Sequence, residues 1–261
     1  MFGFVNTRQS CYADTVLVCM LLPTHAFDHL WEHPRTTVAG YLQAEADRLR
    51  AQQSHSWACT ELRNSMGFPW NTSSTQSAVD FFHALLDMCG VSHLGYQTEH
   101  VYRIPREPKR FEVERSEGQG FRVHLAVAGM HRSLLDVFET VEHIGEPTSE
   151  FKIVKTVVTV TQAPMLVFEV GRNDSENLIH YGYSDISMEV TMKLWYEVYT
   201  LVGMVCRKQA HYVAFVWKDS KWWFYDDVVP GENIVVCEHP ELTPYKPSRY
   251  GELFFYRRTL L

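Results

Sequence analysis

The chain has 261 residues, of which 46% are hydrophobic, 21% charged and 13% aromatic, and it carries a formal net charge of −7 at pH 7. That composition is globular rather than disordered, and an acidic balance with no basic block argues against a nucleic-acid binder. No run reaches the ~18 apolar residues that a membrane span needs. The six cysteines are scattered with no Cys-x-x-Cys pair, which argues against a zinc ribbon. With no export signal, reduced thiols in a cytoplasmic or nuclear setting are expected.

A polar loop from Asn6 to Ser10 leads into Cys11, and an apolar run follows from Thr15 to Leu22. Ser10 reads as an N-cap, so Cys11 falls in the first turn of a central, buried helix. Free N–H groups and the positive end of the helix dipole favour an anion there. Cys11 therefore reads as a nucleophile or as a buried structural cysteine. Pro23-Thr24 ends this helix, and Thr24 caps a short one carrying Phe27, Leu30 and Trp31 that Pro34 stops. Residues 38–53 form an amphipathic helix with Leu42, Ala46 and Leu49 on one face and Glu45, Asp47, Arg48 and Arg50 elsewhere. A loop with Gly67 and Pro69 follows. Residues 73–87 are helical, with Val79, Phe82 and Leu86 in one stripe and Gly90 as the stop.

From Leu94 the pattern becomes strand. Phe111–Arg115 and Phe121–Val127 alternate apolar and polar, with Gly118-Gln119-Gly120 as a turn between them. Ser133 caps a short helix. Residues 151–161, 165–172, 188–206, 211–229, 233–237 and 253–256 read as further strands. Within 211–229, the polar turn Lys218-Asp219-Ser220-Lys221 marks a hairpin. If Trp217 pairs with Ser220 across a two-residue turn, His211 lies directly opposite Asp226; a four-residue turn makes the two diagonal neighbours. In both registers they share a face, and Asp227 points to the other face unless a bulge intervenes. An imidazole oriented by a carboxylate, with a distant cysteine at a helix N-terminus, follows the triad logic of a thiol hydrolase. Helices first and strands afterwards predict an α+β fold in one domain, with a helical lobe over 1–93 and a mainly β part over 94–261.

Cys11-Tyr12, with Asn6 five positions earlier, resembles the cysteine box of the ubiquitin-specific proteases. His211-Tyr212-Val213-Ala214-Phe215-Val216, followed by Trp222-Trp223-Phe224-Tyr225-Asp226-Asp227, resembles their histidine box, with about two hundred residues between Cys and His. Residues Thr75 to Phe81, then Leu85-Leu86-Asp87, resemble the family's second helical motif, and Met165–Arg172 after Pro164 resembles one of its strands. The resemblance implies a papain-like cysteine protease architecture: a helical thumb packed on an antiparallel β palm, with fingers reduced to a strand pair without zinc. It implies Cys11 as nucleophile, His211 as base and then acid, and Asp226 as the group that orients His211, with Asp227 as the alternative. Asn6 would stabilise the oxyanion beside the Cys11 N–H. No metal or cofactor is implied.

The implied substrate is a ubiquitin conjugate, held by its basic tail ending in two glycines. Asp80 and Tyr212, with Gln76, Ser77 and Phe81 of the second motif, are the tail-binding candidates. Three positions depart from the pattern: Ser77 replaces an Asp, Ala210 a Gly, and Gln9 an Asn. The Ser77 and Ala210 departures leave room for a ubiquitin-like protein as substrate. The expected function is a cysteine-type deubiquitinase; the alternatives are a non-cleaving ubiquitin binder and a thiol protease for a viral polyprotein. A chain that begins at its chemistry is expected to be a minimal catalytic domain of the kind a virus or parasite carries. No nucleic-acid or membrane partner is expected.

Overall fold

The computed structural model describes residues 3–4, 6, 9–28, 36–51, 56–57, 59–90, 95–103, 111–119, 121–123, 133–137, 139–140, 152–160, 164–170, 185–194, 197–228 and 234–259. Its helices are α1 (Cys11–Leu21), α2 (Thr37–Arg50), α3 (Thr60–Met66), α4 (Ala78–Met88) and the single turn α5 (Pro247–Tyr250). Every residue of α1 is buried, as its all-round apolar sequence requires. Thr15 answers for its own hydroxyl by donating to the Cys11 carbonyl at 2.8 Å. Arg50, at the end of α2, donates to the Leu21 carbonyl at 3.0 Å and pairs with Asp28 at 2.7 Å, which closes the C-terminal end of α1.

Thr36 caps α2 by accepting the Ala39 N–H at 3.2 Å, and Leu42, Ala46 and Leu49 are buried as the pattern predicts. Glu45, expected on the polar side, is instead buried and pairs with Arg48 at 3.3 Å. Helix α3 occupies part of the stretch read as loop; with only Leu62 and Met66 as apolar landmarks it carries too little periodicity to be recognised. Helix α4 begins at Ala78 rather than Ser73, because the Ser77 hydroxyl accepts the Asp80 N–H at 3.2 Å and sets the cap there. Gly90, at φ +70°, ends that segment as predicted. The short helix predicted to carry Leu30 and Trp31 lies largely outside the described residues.

The strands are β1 (Gly3–Phe4), β2 (Ser56–Trp57), β3 (Gly95–Arg103), β4 (Phe111–Gln119), β5 (Phe121–Val123), β6 (Glu139–Thr140), β7 (Lys152–Val160), β8 (Met165–Val170), β9 (Thr191–Leu194), β10 (Glu197–Lys208), β11 (His211–Lys218), β12 (Lys221–Tyr225), β13 (Ile234–Cys237) and β14 (Gly251–Thr259). Strands β1 and β2 form a small parallel pair, and β4-β3-β7-β6 a four-stranded sheet. The second sheet is built from residues between 95 and 160. The predicted hairpin between Phe111–Arg115 and Phe121–Val127 does not form. β4 pairs with β3, whereas β5 joins a different sheet beside β8. Alternation marks a strand but does not choose its partner.

The main sheet has eight strands in the order β13-β12-β11-β10-β14-β8-β5, with β9 also on β10. It is antiparallel except for the β5–β8 edge. Successive residues face opposite sides, so one sheet serves two cores. Val205, Tyr212, Ala214, Val216 and Phe255 pack toward α1, α2 and α4. Met204, Cys206, Val213, Phe215 and Tyr256 pack on the far side. Gly203 lets α1 lie close on β10, since a Cβ there would stand 3.1 Å from that of Cys19. This contact places the N-terminus of α1 at the end of the sheet where β11 begins.

Candidate active site

The loop before α1 is built to present Cys11. Asn6 Oδ1 accepts the Ser10 N–H at 3.2 Å, which folds the loop back on the helix start. Gln9 takes φ +58°, in the left-handed region, and its side chain accepts the Thr75 hydroxyl at 2.7 Å. Gln9 thereby ties the cysteine loop to the segment leading into α4. Ser10 holds the N-cap position, but its side chain makes no capping bond. It donates instead to Asp14 Oδ2 at 2.6 Å, leaving the first N–H groups of α1 without the predicted side-chain acceptor. Cys11 is 3% exposed.

The hairpin supplies the histidine. Lys218 pairs with Lys221 and Trp217 with Trp222 around the turn Asp219-Ser220. Both turn residues have positive φ, 52° and 60°, the mirror-image turn that suits a twisted hairpin. The turn has two residues but sits one position later than a Trp217–Ser220 pair requires, so the register is the diagonal one, and His211 Nε2 meets Asp226 Oδ1 at 2.9 Å. The same oxygen accepts the Val228 N–H at 3.0 Å, in an Asx-type turn. That turn corrects the expectation for Asp227. Strand alternation ends at Tyr225, so Asp227 is not sent to the opposite face; its carboxylate lies in the same cluster as His211 and Asp226.

Cys11 and His211 come together at this point. The hydrogen bond with Asp226, and then the nearby Cys11 sulfur, favour the imidazolium over burial and push the His211 pKa up to about 10. Burial alone would raise the Asp226 carboxyl. The hydrogen bonds from His211 and the Val228 N–H outweigh it and hold Asp226 below the usual carboxylate value. A ring nitrogen of His211 and one oxygen each from Asp226 and Asp227 lie within 4.8 Å of one another, a spacing a cation can bridge. Here the first two are bonded to each other.

Asp14 is the residue at the site that sequence reasoning passed over. It is fully buried one turn beyond Cys11, accepting from Ser10 and from the Cys59 thiol at 3.0 Å. Burial, then the charge of Asp227, raises its pKa well above the ordinary value. The signal was available, since Asp14 is the one acidic residue in the apolar run of α1. The Asn6 side chain faces Asp227 and lowers its pKa, although burial raises it overall.

The tail-binding candidates separate. Asp80 is exposed at the first turn of α4, and Gln76 is half-buried just before it. Ser77 serves as the helix cap. Phe81 is fully buried, edge-on to Tyr12 and Trp70 with centroids 5.5 Å from each, so its role is core packing. Tyr212 is 1% exposed and its hydroxyl accepts the Ala78 N–H at 3.4 Å, joining β11 to α4 rather than opening a surface.

No family model and no curated protein matches the chain. Solved structures do. The SAGA Ubp8/Sgf11/Sus1/Sgf73 DUB module bound to ubiquitin aldehyde superposes with a TM-score of 0.72 at 14% identity, covering 100% of this chain and 70% of that one. The same module bound to monoubiquitin gives 0.71 at 13% identity, again over 100% and 70%. The Ubp8-Sgf11-Sgf73-Sus1 SAGA DUB module gives 0.67 at 14%, over 100% and 68%. The chain thus has the mixed helix-and-sheet fold of the SAGA DUB module, as the resemblance to the ubiquitin-specific proteases implied.

Proposed function

We propose that the chain is a cysteine-type deubiquitinase that hydrolyses the bond after the C-terminal glycine of ubiquitin. The observation that carries this reading is the meeting of Cys11, His211 and Asp226 from opposite ends of the chain, with His211 bonded to Asp226 and Cys11 near enough to raise its pKa. The Cys11 sulfur attacks the glycine carbonyl. His211 holds the thiol proton and returns it to the leaving amine. Asp226 keeps the imidazole oriented and supports its charge. The Cys11 N–H and the Asn6 amide receive the oxyanion of the tetrahedral intermediate. Asp80 and Gln76, on the accessible side of α4, are the positions to pair with the basic tail of ubiquitin. The likeness of fold to DUB modules bound to ubiquitin supports that choice of partner.

A ubiquitin probe with a C-terminal propargyl amide tests this. The probe forms a covalent adduct at Cys11 and none with Cys11→Ala. A folded sample that forms no adduct, or an adduct that persists in Cys11→Ala, rejects the reading. The low exposure of Cys11 favours a second reading, in which the chain binds ubiquitin without cleaving it. That reading predicts measurable affinity, no adduct, and the same affinity in Cys11→Ser.

A further inference from the structure

Tyr245 lies outside both boxes read in the sequence, yet its ring reaches the imidazole of the site. Its centroid stands 6.3 Å from that of the His211 ring, edge to face at 69°, and 5.9 Å from that of Phe224. Both separations are those of favourable aromatic pairs. Tyr245 packs with the core on the far side of the main sheet, whereas Cys11 belongs to the core on the α1 side. His211, at the first position of β11, is therefore met by the thiol from one side of the sheet and by Tyr245 from the other.

Several ties fix Tyr245 there. Residues 238–250 run from β13 to β14, and within them the Glu241 carboxylate accepts the Ser248 N–H at 2.8 Å and the Ser248 hydroxyl at 2.6 Å. The Thr243 hydroxyl accepts the Tyr245 N–H at 3.3 Å. Lys208 stands opposite His211 in the β10–β11 register, across the turn Gln209-Ala210. Its ammonium donates to the Pro244 carbonyl at 3.2 Å and lies 5.9 Å from the Tyr245 ring centre, within cation–π range. The tyrosine thus touches both residues that flank the turn. The His211 and Asp226 side chains are 25% and 14% exposed, so water can reach the bond between them from any side left open. A hydrogen bond is stronger where water is kept from it. The second side-chain torsion of a histidine is also broad, so a bond at one ring atom leaves the ring free to tilt.

We propose that Tyr245 is a positioning residue whose ring backs the His211 imidazole and screens the His211–Asp226 hydrogen bond from water, holding the imidazole in the one orientation that serves both Asp226 and Cys11. The role belongs to the aromatic ring, which makes the contacts with His211, Phe224 and Lys208, and not to the hydroxyl. Lys208 acts behind it, by holding the segment that carries Tyr245 against the sheet. The kinetic consequence rests on the deubiquitinase reading, whereas the screened bond is a property of the resting protein.

Protein labelled with ¹⁵N in its histidine rings reads the screen directly. At pH 7 the N–H that His211 donates to Asp226 gives a resolved proton signal, assigned by its absence in His211→Gln. Tyr245→Ala loses that signal to exchange with water, and Tyr245→Phe keeps it. No such signal in the parent chain, or an undiminished one in Tyr245→Ala, overturns the inference. Hydrolysis of a ubiquitin C-terminal fluorogenic amide supplies the second arm. Tyr245→Ala lowers kcat, by up to about 100-fold, with little change in KM, since a tilted imidazole misplaces the proton and not the substrate. Tyr245→Phe recovers most of that loss. A raised KM at native kcat, or an equal loss in Tyr245→Phe, overturns the positioning role. Should Tyr245→Ala not fold, Lys208→Ala loosens the same segment, and an undiminished signal there overturns the inference instead. No turnover in any of these proteins, with the signal lost in Tyr245→Ala and kept in Tyr245→Phe, rejects the hydrolase and leaves this inference standing.

Discussion

His211 shows how two neighbours and partial burial set one group's chemistry. Its imidazole gains a proton because the bond from Asp226 and the nearby Cys11 sulfur favour the charged form, and its partial burial is too weak to reverse that. Removing the carboxylate removes the larger effect. Asp226→Asn should therefore bring the His211 titration, followed by imidazole NMR, down from about 10 toward the ordinary histidine value. The same substitution should reduce kcat for a ubiquitin substrate, by up to about 10⁴-fold, since the ring then loses both its orientation and its charge support. An unmoved titration would assign the raised value to Cys11 instead. Asp226→Asn also tests the third member of the triad against Asp227, whose carboxyl lies in the same cluster as the ring.

At the scale of elements, the site depends on how closely α1 sits on the sheet. Gly203 has a φ that other residues adopt, so a side chain there meets packing rather than backbone strain. The Cβ of an alanine would approach Cys19 Cβ to 3.1 Å and Cys19 Cα to 3.5 Å. Cys19 belongs to a helix buried along its whole length and has little freedom to withdraw. Gly203→Ala should destabilise the chain by about 1–3 kcal/mol, seen as a lower denaturant midpoint at constant slope. It should also reduce turnover more than the lost folded fraction accounts for, because the displaced helix carries Cys11. Native turnover per folded molecule would show that the hairpin follows the helix.

For the whole molecule, stability should follow pH through the same groups. His211 has a folded pKa raised to about 10, above the ordinary value near 6.5. The folded state therefore binds the extra proton. Its contribution is complete below the unfolded value and is lost as pH rises from about 6.5 through about 10. Asp226 acts in the opposite direction. Its folded pKa is lowered, so its contribution is present above the ordinary carboxyl value and is lost as pH falls through the folded one. The denaturant midpoint should fall between pH 7 and 10, and His211→Gln should flatten that slope. An equal slope in the variant would place the loss elsewhere. Both halves of the site join the one main sheet, with a core on each side, so local loss at the hairpin should reach α1 through Tyr212 and Ala214.

Local chemistry was legible in the residues themselves. The burial of α1, the stop at Gly90, the β11–β12 hairpin and the shared face of His211 and Asp226 all follow from periodicity and turn signals within one segment. Long-range choices were not. Whether β4 pairs with β3 or with β5, how many strands build the second sheet, and that Phe81 and Tyr212 fill the core depend on contacts between segments far apart in the chain. Alternation and composition are silent on those contacts. Asp227 is the sharpest case: alternation alone sent it to the face opposite His211. Only the fold set it in one cluster with His211 and Asp226, because the turn that redirects Asp227 lies beyond the strand whose alternation sent it the other way.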